Sequence, residues 1–275
     1  MAEVVIVESS EAGGALVARH IATQVRAQSD LTLGVATGST PLPVYSALAL
    51  ERAAGLDLSG VVAFALDEYV GLPREHPESY HSVIRREVTE PLGLDPSRVH
   101  VPDGDLAMIA TAGERFEAAL LAHGGVDLQL LGIGTDGHVG FNEPGSSLAS
   151  STRIKTLTAQ TRADNARFFD RPDDVPTHCI TQGIGTILRA GHLVLLAFGE
   201  GKADAGAGAV EGPITASVPG SCIQLHAHVT GVVDEAAAIG FGRRDYDRWV
   251  YAHAPTWPGR AGCRRVAVAR AGGAG

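Results

Sequence analysis

The chain has 275 residues, 45% of them apolar and only 5% aromatic, with a formal net charge of −9. That length allows one large domain or two small ones, and Ala, Val, Leu and Ile must supply most of the core. The acidic balance argues against a nucleic-acid surface, which needs a basic face, but leaves room for a small anionic ligand held by two or three local cations.

In chain order, the N-terminal MAEVVIVESSEAGG lacks the basic and long apolar regions of a signal peptide. Residues 4–7 read as a first strand. In 11–27, Val17, Ile21 and Val25 recur at i+4, which predicts an amphipathic helix. A strand at 31–36 runs into Thr37-Gly38-Ser39-Thr40, and Pro41 is expected at the first position of a helix with Thr40 as its N-cap. A strand at 61–66 ends on Asp67-Glu68. After a strand at 99–101, Ile109, Ala112, Phe116 and Ala119 mark one face of a helix over 106–122. The apolar run 128–133 leads into Gly134-Thr135-Asp136-Gly137-His138, 193–198 leads into Gly199-Glu200-Gly201-Lys202, and 229–233 reads as the last strand. Runs such as 193–198 are far too short to span a membrane.

No internal repeat or long linker divides residues 1–259, so one domain is expected there. Residues 260–275 are Ala/Gly/Arg-rich without a period and are expected to be a mobile tail; a basic arm for anions is the alternative. Cys179, Cys222 and Cys263 are odd in number and widely spaced, which fits reduced thiols of a cytoplasmic protein better than a disulfide framework.

Strands alternating with helices, and nearly all apolar, predict an α/β fold: a doubly wound, mostly parallel sheet with helices on both faces, Rossmann-like. Ligands of such folds bind beyond the carboxyl ends of the strands. The loops at 37–40, 67–68, 134–143 and 199–202 all begin there.

Three of these loops carry chemistry. Backbone amides at a helix start suit an anion at Thr37–Thr40, although the GxxxxGK[ST] pattern of nucleotide-binding loops is absent. Asp67 projects into the rim, where a carboxylate can shuttle a proton between adjacent carbons or merely close a turn. The loop after 133 places Asp136, His138 and Glu143 within eight positions; His titrates near neutrality, and two carboxylates can orient it. No GxSxG elbow supports a serine hydrolase. Asp136-x-His138 could offer two metal ligands, but HExxH and cysteine pairs are missing, so no metal site is expected.

TDGHVGFNEPGSS at 135–147, LDEYVGLPREHPESYH at 66–81 and ATGSTP at 36–41 resemble the glucosamine-6-phosphate deaminase family, and SSTRIKTLTAQTRADNARFF at 150–169 and GEGKADA at 199–205 extend the resemblance to nearly all of residues 1–260. The resemblance implies isomerisation and deamination of an amino-sugar phosphate without a cofactor. In that family the residue matching Asp67 moves the C2 proton to C1, and its neighbour Glu68 is expected to point away. The residue matching His138 opens the sugar ring with Asp136 and Glu143 as partners. Thr37, Gly38, Ser39, Thr40, Arg167 and Lys202 match the positions that hold the substrate phosphate. Ser146, Arg153, Lys155 and Thr156 match an allosteric site for N-acetylglucosamine 6-phosphate, and the resemblance implies a homo-oligomer, up to a hexamer, with no nucleic-acid or membrane partner. Arg153 and Lys155, two apart, would share one face of a strand. The family's allosteric tyrosine has no secure match in Tyr246 or Tyr251. Two other readings stand beside this one: a 6-phosphogluconolactonase-like hydrolase, which shares the GxTP and DGH elements but not the FNEPGSS continuation, and a sugar-phosphate-sensing regulator domain, which would need an attached DNA-binding helix-turn-helix.

Overall fold

Each apolar run read from the sequence becomes a strand of one seven-stranded sheet. A computed structural model describes residues 3–253. The expected tail at 260–275, and Cys263 within it, lie outside the described residues. The first half runs β1 (Glu3–Val7), α1 (Ser10–Ala27), β2 (Thr32–Val35), α2 (Leu42–Ala53), β3 (Val62–Ala65), β4 (Asp67–Tyr69) and α3 (Tyr80–Ile84). A π-helical turn at Arg85–Thr89 then joins α4 (Glu90–Leu92), β5 (Val99–His100) and α5 (Ile109–Ala122). The second half runs β6 (Leu128–Gly132), β7 (Arg153–Thr156), α6 (Ala159–Asn165), β8 (His178–Thr181), α7 (Ile184–Ile187), β9 (His192–Ala197), α8 (Ala203–Val210), β10 (Val229–Asp234), α9 (Glu235–Ala238) and α10 (Arg244–Ala252).

The large sheet has the order β1-β10-β9-β6-β2-β3-β5, and every pair in it is parallel. Both of its faces are covered, which is why its strands are largely apolar in continuous runs rather than at every second position. On one face Val17, Ile21 and Val25 of α1 and Val44 and Leu48 of α2 pack over Leu33, Val35 and Leu130. On the other, Ala205 and Ala209 of α8, with Ile184 and Ile223, pack over Leu131, Leu193 and Leu195. Each fully buried leucine of this kind contributes roughly 1.5–3 kcal/mol. Helix α1 starts at Ser9, whose hydroxyl accepts from the Ala12 amide at 3.2 Å. Among the described residues no helix is long and apolar enough to cross a membrane.

The chain adds β3 and β5 on one side of β2, then returns to place β6 on the other side. The topological switch point therefore falls between β2 and β6, and a crevice opens beyond their carboxyl ends. The loops leaving those two strands are Ala36–Pro41 and Ile133–Glu143.

Three local readings need correction. Helix α2 begins at Leu42, and Pro41 stands at its N-cap with φ −83° and no side-chain cap. The Pro41 carbonyl already accepts from the Val44 amide at 2.9 Å, so the turn is closed one residue later than expected and Thr40 caps nothing. Helix α5 begins at Ile109, not 106, because Asp105 holds a preceding turn by accepting from the Ala107 amide at 2.9 Å. Finally, a second, three-stranded antiparallel sheet, β4-β8-β7, stands beside the first. None of its three strands was read as one from the sequence.

Candidate active site

Asp67 opens β4, directly opposite Thr181 of β8. The strand feeding it, β3, stops at Ala65, so Asp67 belongs to the small sheet and not to the end of the large one. Its carboxylate is 5% exposed and lines a cleft of about 530 Å³. The Thr181 hydroxyl lies 3.4 Å from Asp67 Oδ2. Burial, with the charge of Glu68 added, pushes the Asp67 carboxyl up to about 7, against the partial relief from His138, the Phe141 amide and Thr181. Glu68 does point away: its carboxylate accepts from the amides of Tyr69, Tyr80 and His81 at 2.7–2.8 Å and ties down the start of α3.

The loop after β6 folds back across Asp67. Gly140 has φ +54°, and a Cβ there would sit 3.3 Å from Asp67 Oδ2 and 3.1 Å from Thr181 Oγ1, so only glycine lets the loop pass this close. The same loop assembles the histidine site. His138 Nδ1 is 2.7 Å from Asp136 Oδ1 and 3.8 Å from Glu143 Oε2. Both His138 Nδ1 and Glu143 Oε2 are buried, and Glu143 Oε2 has no hydrogen-bond partner among the described residues. Asp136 Oδ1 also accepts from the His138 amide at 3.1 Å, and Glu143 Oε1 accepts from the Thr158 amide at 3.0 Å. Burial alone would raise the Asp136 carboxyl; the hydrogen bonds and charge of His138 outweigh it and hold the group well below the usual carboxylate range.

The cleft is closed on its other side by Thr37, Gly38, Ser39 and Thr40, with Arg167 and Lys202 on the rim. The first turn of α2 has no side-chain cap, so the Leu42 amide and the helix dipole are available to an anion. Lys202 is half-buried: burial lowers its pKa, Asp164 counteracts that and Arg167 adds to it. Two cations crowded at one rim, at a cost to each, are what a bound anion would relieve.

The structure thus gathers Asp67, His138, the 37–40 loop, Arg167 and Lys202 around one cleft, with Asp136 and Glu143 behind His138. The remaining four expected residues lie elsewhere. Arg153 and Lys155 share the half-buried face of β7, while Thr156 falls on its exposed face with Ile154. Arg153 Nη1 donates to Asn142 Oδ1 at 2.8 Å. Arg153 Nη2 and the Ser146 hydroxyl are buried without partners among the described residues.

Sequence reasoning missed Thr181, Tyr80, Thr135, Asp164 and Phe168, of which all but Thr181 line the cleft. Tyr80 is partly buried, with its phenol beside Thr37 and Tyr69, and desolvation raises that phenol well above the ordinary value. The 66–81 motif contains Tyr80 but nothing in its spacing singles that residue out.

Titratable side chains and an uncapped helix start meeting at the switch point of a doubly wound sheet mark a candidate active site on a Rossmann-like α/β fold. Residues 7–231 match the family described as glucosamine-6-phosphate isomerases/6-phosphogluconolactonase, and the chain belongs to that family. It is 62% identical over 259 residues to a glucosamine-6-phosphate deaminase of Streptomyces coelicolor, covering 94% of this chain and 99% of the relative. It is 56% identical over 271 residues to a glucosamine-6-phosphate deaminase of Bifidobacterium longum, covering 94% of this chain and 100% of the relative. Among solved structures, a monomeric glucosamine-6-phosphate deaminase superimposes with a TM-score of 0.83 at 37% identity, over 86% of this chain and 99% of that one. The 6-phosphogluconolactonase of Trypanosoma brucei superimposes with a TM-score of 0.71 at 18% identity, over 87% and 98% of the two chains, a likeness of fold alone.

Proposed function

We infer that this chain is a glucosamine-6-phosphate deaminase, converting glucosamine 6-phosphate and water to fructose 6-phosphate and ammonia. The observation that carries the reading is Asp67: a carboxyl buried in the cleft, raised to about 7, facing the same space as His138 and the anion loop. A base poised there is half-ionised near neutral pH, where both taking and returning a proton are feasible.

The substrate phosphate sits against Thr37–Thr40, Arg167 and Lys202 and fixes the sugar's register. His138, with Nδ1 engaged by Asp136 and Glu143, uses Nε2 to move a proton between the anomeric hydroxyl and the ring oxygen, opening the pyranose. Asp67 takes the C2 proton, acidified by the C1 carbonyl that ring opening frees and by the adjacent ammonium; the electron pair moves into C1–O1, the ammonium gives a proton to O1, and Asp67 returns its proton to C1 of the resulting enolamine. The C2 imine so formed adds water and expels ammonia. Every step is a proton transfer or water addition that these side chains can serve. The lactonase alternative has support only at the level of fold.

Release of ammonia from glucosamine 6-phosphate by the purified chain, in a coupled assay, tests this reading; turnover of 6-phosphogluconolactone with no ammonia release overturns it. The reading places the protein in the cytoplasm as a homo-oligomer, in which Ser146, Arg153, Lys155 and Thr156 hold the phosphate of N-acetylglucosamine 6-phosphate. Its support is the buried Arg153 Nη2 and Ser146 hydroxyl, each lacking a partner. Light scattering at assay concentration and substrate saturation curves with and without that effector test it. A monomer would remove an intersubunit site, and curves unchanged by the effector would remove the activation.

A further inference from the structure

The geometry points to a divalent-cation site formed by Asp136, His138 and Glu143, through which zinc would compete with the acid–base chemistry of the same residues. The sequence spacing offers two ligands, Asp136 and His138; folding of the loop brings the third. Nδ1 and one oxygen of each carboxylate lie within 4.8 Å of one another. A tetrahedral ion at the usual zinc distances places its ligand atoms about 3.3 Å apart. The observed separations from Nδ1, 2.7 Å to Asp136 and 3.8 Å to Glu143, bracket that value, and side-chain rotation alone brings the carboxylate oxygens, within 4.8 Å of one another, toward it.

A second observation points the same way. Glu143 is 3% exposed, yet its Oε2 has no hydrogen-bond partner, and His138 Nδ1, buried 3.8 Å from it, has only the close Asp136 carboxylate beside it. Both atoms face the same small space. A buried polar atom without a partner is costly, and an ion in that space would satisfy both at once. The charge also fits: two carboxylates and a neutral imidazole supply three lone pairs and two negative charges to a dication. The side chains of Asp136 and His138 remain 23% and 18% exposed, so an ion can reach them from solvent, and water or substrate oxygen could take the fourth position. Binding would displace any proton on the imidazole, so affinity falls as pH drops. An ion held on Nδ1 leaves His138 unable to cycle its charge, which makes the metal an inhibitor of ring opening and not a cofactor for it.

This rests on the residue placement of the deaminase reading but not on its substrate. The test is titration of the chelator-treated full chain with zinc chloride by calorimetry and with cobalt chloride by visible absorption. One ion per chain is expected, with the d–d bands of four- or five-coordinate cobalt. Glu143→Gln and Asp136→Asn should each weaken binding by at least about tenfold; should one variant fail to fold, the other carries the test. A Cys179→Ser/Cys222→Ser/Cys263→Ser variant should bind as the wild type does. Absence of binding, affinity unchanged in the folded carboxylate variants, or affinity lost with the thiols would overturn the site. A chain that binds cobalt at these ligands but, assayed metal-free, releases no ammonia keeps the site and loses the deaminase reading; ammonia release without metal binding does the reverse.

Discussion

Asp67 pays for its placement in stability, and the sign of that cost is testable. Its folded pKa, about 7, lies above the ordinary aspartate value of 3.8. Between those values the folded chain keeps a proton that the unfolded chain has released. Its contribution to stability is therefore complete below pH 4 and is lost as pH rises through 7. Asp67→Asn removes the ionisation and nearly keeps the shape. The variant should lose at least ~10²-fold in kcat, as expected of a missing general base, while its melting temperature relative to wild type rises from pH 4 to pH 8. Thermal melts across that range check the second part; a difference independent of pH would remove the buried charge from the account. Asp67 was legible because an apolar strand ended on it. Thr181 was not, since it stands 114 residues away and meets Asp67 only through strand pairing.

At the scale of elements, the proposed anion site joins an uncapped helix start to two cations from separate turns. Thr37–Thr40 supplies backbone geometry that a side-chain substitution barely alters, whereas Arg167 and Lys202 supply charge. Lys202→Ala and Arg167→Ala should chiefly raise KM for the phosphorylated sugar. A lost charge-assisted contact costs about 1.5–3 kcal/mol, or roughly ten- to a hundredfold. Steady-state kinetics would show it, and a fall in kcat at unchanged KM would place these cations outside phosphate binding. The large sheet was legible because strands buried on both faces are largely apolar in continuous runs. The small one was not: its strands read DEY, RIKT and HCIT, too short and too polar to give a period. The start of α2 was misread by one residue because sequence alone cannot say whether Thr40 or Pro41 closes the turn.

At the scale of the whole molecule, a cluster of histidines stands at the pole opposite the cleft. The cleft occupies the carboxyl end of the large sheet, while His192 and His228 stand at the amino ends of β9 and β10 with His20 and His226 beside them. Burial, then the neighbouring His20, His228 and His226, lowers His192 to about 4. Its ring lies edge-on to His20 at 5.3 Å and bonds the Thr230 hydroxyl at 3.0 Å. Here the unfolded chain takes the proton first. The stability that neutral His192 provides is complete above about pH 6.5 and is lost as pH falls through 4. The melting temperature should decline over that window, and His192→Asn should flatten the decline; an equally steep decline in the variant would assign acid lability to other groups. Doubly wound topology was readable from strand–helix alternation, but this clustering of histidines was not, because residues 20, 192, 226 and 228 meet only once the sheet is ordered.

The proposed base stands on the smaller of two sheets. Thr181 pairs with Asp67 on one side and with Arg153 on the other, so one rung crosses all three strands of that sheet. Three strands of three or four residues protect their amides less than the seven-stranded core does, and such units open on their own at lower free energy than global unfolding. On warming, this part of the molecule should come undone first, taking the proton shuttle with it while the core stays intact. Turnover should then fall off at temperatures where the far-ultraviolet circular dichroism is still native, and amide hydrogens of Cys179 and Ile180 should exchange faster than those of Leu130 and Leu195. An anion seated against Arg153 would clamp the rung from its far end, slow that exchange and widen the temperature range of catalysis without touching the cleft.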